Sequence, residues 1–152
     1  MRYLLVLGLL SGCFDGGTSV RERPLAGTQW QAEVSGVECY ILAGFPDTTH
    51  YTAGLGCQLN DGSIGLQVEA GTYGTYEGYM ATTALESSCP ASEVTIMETS
   101  SYRNTGTTLT LENSTGVIVF TRVYPDGSSG GTVPFGCFDS AGIFTPRPVQ
   151  PL

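Results

Sequence analysis

Turn-forming residues punctuate this chain about every ten residues, and short runs rich in Thr, Val, Ile, Tyr and Phe lie between them. No window sustains the 3.6-residue apolar period of an amphipathic helix. That rhythm leaves one fold class, all-β, built as a barrel or a sandwich of short antiparallel strands.

Read in order, the runs predict strands over Thr28–Leu42, His50–Leu59, Ile64–Glu69, Val94–Tyr102, Thr107–Glu112 and Val117–Tyr124. "AGFPDT" supplies the first turn, placed near Phe45-Pro46-Asp47. "NDGS" at Asn60 to Ser63 is a strong hairpin signal, and "NSTG" separates the last two strands. Leu109 and Leu111 alternate with Thr108 and Thr110, so one face of their strand is expected to be buried. In "GTYGTYEGYMATT", Gly71, Gly74 and Gly78 suggest bends or bulges. Tyr73, Tyr76 and Tyr79 there read as barrel packing with wet hydroxyls rather than a carbohydrate-stacking stripe. Phe135–Phe144 adds a short strand or wraps the domain. "TPRPVQPL" is too proline-rich for a central strand. There is no internal repeat and no second domain.

The first residues carry an address. Met1 and Arg2 precede a short apolar run that ends in Leu10-Ser11-Gly12-Cys13. A charge, a short apolar stretch and small residues form the layout of a signal peptide, and the run is too short to span a bilayer, which takes roughly 20 residues. The four-residue ending resembles the lipobox of bacterial lipoproteins. That resemblance implies a leader over 1–12 and lipidation of Cys13; the polar, Gly-containing stretch over 13–24 reads as a flexible tether, and the strand runs beyond it place a barrel over 25–124 and a loop-rich extension over 125–152 tied by a disulfide. Phe14 follows the cysteine, so the aspartate linked to inner-membrane retention is absent at that position. The expected location is the bacterial cell envelope, anchored by lipid in the outer membrane.

Charge removes one class of partner. Fourteen carboxylates face six arginines and no lysine, a formal charge of -8. Nucleic-acid binding needs a basic face and is not expected. Beyond Cys13 the cysteines are Cys39, Cys57, Cys89 and Cys137. An even number in an exported domain suggests two disulfides, whereas a zinc site would present closely paired ligands. Three connectivities are possible. A tip near Phe45-Pro46-Asp47 puts Cys39 and Cys57 at unequal distances from it, which favours Cys57 with Cys89 and Cys39 with Cys137.

The order of pieces is similar to bacterial lipocalin-like barrels. "LAGTQW" resembles the Gly-x-Trp opening of that group, with two residues between Gly27 and Trp30 where the family has one. "TGTTLTLENSTGVIVFTRV", Thr105 to Val123, looks like its closing hairpin. The resemblance implies a small antiparallel meander β-barrel, with an open β-sandwich as the alternative. It also implies a barrel-closing pair, Trp30 and Arg122, and a small apolar or lipid ligand walled by Ile64, Leu66, Tyr73 and Tyr79. Because eight strands can fill their own interior, a structural or protein-binding envelope lipoprotein is the second expectation.

Catalysis has little to stand on in the residues. The single histidine, His50, has Asp47 three residues away, but no serine sits in a Gly-x-Ser-x-Gly elbow. Glu69 and Glu77 read as solvated carboxylates, and the oxygen-rich turns at Asn60–Ser63 and Asp126–Ser128 lack a calcium-loop ligand series. The expectation is a non-catalytic protein without cofactor or metal; a hydrolase is the remote alternative.

Overall fold

Alternation along the strands decides what lies inside. In β1 (Thr28–Val34), Thr28, Trp30 and Ala32 are buried while Gln29, Gln31 and Glu33 are exposed. A computed structural model describes residues 23–91, 99–124 and 133–152. In it β1 is followed by β2 (Cys39–Phe45), β3 (His50–Gln58), β4 (Ile64–Tyr76), β5 (Tyr79–Ser87), β6 (Ser100–Asn104), β7 (Thr108–Asn113) and β8 (Gly116–Val123). Each strand pairs antiparallel with the one before it. β8 then returns to β1 with Arg122 opposite Trp30. The eight strands therefore form a closed antiparallel meander barrel, consistent with the lipocalin-like barrel the sequence resembles, and not an open sandwich.

Several boundaries differ from the sequence reading. The single strand expected over Thr28–Leu42 is two, divided by a turn in which Gly36 takes φ of 84°. Glycine reaches that left-handed region without a Cβ clash. The strand expected to stop at Glu69 runs on to Tyr76. It survives its glycines because Gly71 sits where a bulge brings two backbones together: the register shifts between Ala70 and Gly71, and a Cβ on Gly71 would lie 2.0 Å from the Thr83 carbonyl oxygen. Of the strand expected over Val94–Tyr102, β6 supplies the part from Ser100; residues 94–98 lie outside the described residues.

From residue 133 on, the extension carries short strands. β9 (Gly136–Phe138) and β10 (Phe144–Pro146) form a small hairpin, and β11 (Gln150–Pro151) pairs with the end of β5. The start of β4 reaches beyond its pairing with β5, and the extension follows it there. Leu66 N–H donates to the Pro134 carbonyl, with Phe135 bridged to Leu66. The prolines of "TPRPVQPL" fit this edge position, where few ladder donors are needed.

The disulfides are Cys39–Cys57 and Cys89–Cys137, not the pairing favoured from sequence. Cys39 and Cys57 are direct partners across β2 and β3, and so are Gly44 and Thr52, which places the hairpin's centre at Thr48. Only from a tip near Phe45-Pro46-Asp47, about two residues before that centre, do the two cysteines look unequal. The second bridge ties the extension to the end of β5.

The close approach at Gly71 is testable. Gly71→Ala is expected to lower unfolding free energy in urea by about 1–3 kcal/mol, because backbone cannot yield as a side chain does. Gly74→Ala, where a Cβ meets nothing within 4 Å, serves as the control and should be neutral or slightly stabilising.

Candidate binding site

The interior of the barrel is filled by side chains. Trp30, Phe45, Tyr51, Met80, Leu109 and Phe120 are the largest apolar groups in it, and all are fully buried. Leu109 and Leu111 lie inside as their alternation predicts. At the end where the chain enters, the Arg122 guanidinium lies 5.4 Å from the Trp30 ring centroid and 5.3 Å from that of Tyr124. Such a cation–π contact contributes about 1 kcal/mol. Trp30 Nε1 donates to Thr28 Oγ1 at 2.6 Å. Asn104 holds the incoming chain by donating from Nδ2 to the Arg23 carbonyl at 2.8 Å.

Polar groups also face inward, and β4 supplies them. Gln67 is 1 % exposed and Glu69 2 %. The Tyr51 phenol donates to Glu69 Oε1, and Gln67 Oε1 accepts from the Phe138 backbone N–H at 3.2 Å. Burial, then the hydrogen bond to Glu69 and its charge, push the Tyr51 phenol well above its ordinary value of 10.0.

With Gln67 and Glu69 turned in, the apolar members of the same strand turn out. Leu66, Val68 and Ala70 join Leu42, Gly44, Thr52 and Gly54 on the outer face of β2 to β4. Together they line a hollow of about 550 Å³, with Phe135 and Val149 of the extension among its walls. The floor is low where it matters. A Cβ on Gly54 would lie 3.2 Å from Leu66, and one on Gly44 would lie 2.8 Å from the Thr52 hydroxyl. A volume of this size is within the range that holds small organic ligands.

The four residues expected to wall a ligand do not share one face. Leu66 lines the outer hollow. Ile64 and Tyr79 are 38 % and 61 % exposed and lie outside it. Tyr73 turns inward, where its ring meets Phe45 edge-on at 4.9 Å. An apolar residue on β4 reads naturally as an inward one, and here the alternation is inverted. The sequence did carry a signal: in Ile64 to Ala70 the polar residues that alternate with the apolar ones are a glutamine and a glutamate. Cys13 lies outside the described residues.

Comparison of this chain with protein-family models, with curated proteins and with solved structures gives no match. Among the described residues, no three His, Cys, Asp or Glu side chains gather as metal ligands do. His50 and Asp47 do meet, with Nδ1 and Oδ2 2.8 Å apart on an exposed loop. The Asp47 carboxylate also accepts from the backbone N–H groups of Thr49 and His50, at 2.7 and 2.8 Å. Those bonds hold its pKa far below the ordinary carboxylate range. This is the hydrogen bonding of a turn. Asp61 makes the same kind of turn with Ser63. Asp126 lies outside the described residues.

The Tyr51–Glu69 bond predicts an alkaline weakness. Tyr51 ionises in the unfolded chain near pH 10 and only at higher pH in the folded one. Its contribution is thus complete below pH 10 and is lost as pH rises towards the folded value. Tyr51→Phe leaves Glu69 without this donor and should cost about 1–3 kcal/mol at neutral pH. The same variant should lose stability less steeply above pH 10, as read from urea midpoints across the pH range.

Proposed function

We propose that this chain is a lipid-anchored lipoprotein of the bacterial cell envelope and that it binds a small apolar or lipid-like ligand without catalysing its conversion. The observation that carries the binding reading is the outer hollow, where one barrel strand presents its apolar side chains away from the core beneath a wall supplied by the extension. An apolar concavity of this size, exposed to water, gains by being filled. The ligand position differs from the one the resemblance implies, because the lumen is occupied by side chains.

The anchor rests on Leu10-Ser11-Gly12-Cys13, which resembles the lipobox of bacterial lipoproteins and follows a short apolar run. A second reading, a structural or protein-binding envelope lipoprotein, is favoured by the filled interior and by Val117 and Val119, which stand exposed side by side on the outer face of β8.

Two measurements test these readings. The full-length chain carrying Cys13→Ser, with both disulfides formed, should enhance the fluorescence of the neutral probe N-phenyl-1-naphthylamine on titration. Val68→Trp fills the hollow and should weaken that binding about tenfold, or 1.4 kcal/mol, with an unchanged urea midpoint. No probe binding by the unfilled protein turns the search to protein partners. In cells fed labelled palmitate, the unsubstituted chain should take up label and fractionate with envelopes, and Cys13→Ser should do neither. Label retained in that variant sinks the lipidation assignment.

A further inference from the structure

The charges around the outer hollow are one-sided. Glu86 stands on its lining, paired in register with Ala70 at the end of β5. Among the described residues no arginine lines the hollow, and the chain contains no lysine. Arg122 is turned onto the Trp30 ring inside the barrel. Arg147, two residues before Val149, lines a separate recess with Ser87 and Leu152. Among the described residues, no cation comes within ion-pair distance of Glu86.

We infer that the ligand of this hollow is a cationic amphiphile, with its apolar body against Leu66 and Val68 and its ammonium head beside Glu86. The inference rests on the binding reading above and narrows it to one chemical class. An ammonium group there meets an opposite charge, whereas a fatty-acid carboxylate meets a like charge and, among the described lining residues, no cation to pair with. An anionic head held unpaired beside an apolar wall also loses hydration without compensation. The chain's charge of -8 acts in the same direction at longer range, raising the local concentration of cations and lowering that of anions.

The test uses the full-length chain carrying Cys13→Ser, loaded with neutral N-phenyl-1-naphthylamine. Dodecyltrimethylammonium and dodecanoate, each below its micelle concentration, are compared as displacers. They share a twelve-carbon body and differ in the head. The cation is expected to displace the probe at about tenfold lower concentration than the anion, a ratio worth 1.4 kcal/mol. Glu86→Gln should bring the two within about twofold, and Glu86→Asp should keep the preference. Raising salt should shrink the ratio in the unsubstituted protein. Equal displacement, a preference for dodecanoate, or a ratio unmoved by Glu86→Gln overturns the inference while leaving the hollow a binding site. Failure of the neutral probe to bind removes both readings together.

Discussion

A carboxyl group inside a barrel has to find its partners there, and the bond from Tyr51 to Glu69 supplies one. The facing of β4 depends on it. Side chains in a strand alternate, so a slip of one residue exchanges the two faces completely. With Glu69 inside, Gln67 is inside as well, and its side-chain oxygen takes the Phe138 N–H of the extension. Leu66, Val68 and Ala70 must then point away from the core. The hollow is in this sense the reverse side of a buried polar contact.

Closure has a second effect on where function can reside. Joining β8 to β1 and β6 to β5 leaves an eight-stranded interior, wide enough for side chains to fill. Trp30, Phe45, Tyr51, Met80 and Phe120 occupy it. A core of this kind holds the barrel's shape, and the apolar hollow lies on the outer wall instead. Sheet curvature and the crossing extension produce a concavity there that an isolated strand pair lacks.

Much of the fold is legible in the sequence. The hairpins at Asn60–Ser63 and Asn113–Gly116 have side chains that bond the turn backbone, and such turns announce themselves by residue type. Alternation at Leu109 and Leu111 pointed inward and does so. The turn between β1 and β2 was not seen, because its only strong marker is Gly36 within an otherwise strand-like run. Disulfide pairing depended on locating a hairpin tip, and an offset of about two residues was enough to exchange partners. The outward face of β4 was harder still. Hydrophobicity alone turns Leu66 and Val68 inward. The opposite answer comes from Tyr51, a residue on a neighbouring strand, and from Phe138, far along the chain. The extension was expected to be tied by a cysteine, but its strands are too short to leave a periodic trace.

The walls of the hollow differ in what else they support. Leu42, Gly54 and Val68 belong to strands that carry the barrel core on their other side, so their backbone is constrained from within. Phe135 and Val149 belong to a segment laid over the finished barrel and tethered through Cys137. Side chains at Phe135 and Val149 therefore shape the hollow from the strap alone, whereas a change at Leu42, Gly54 or Val68 acts on a strand whose other face is the core.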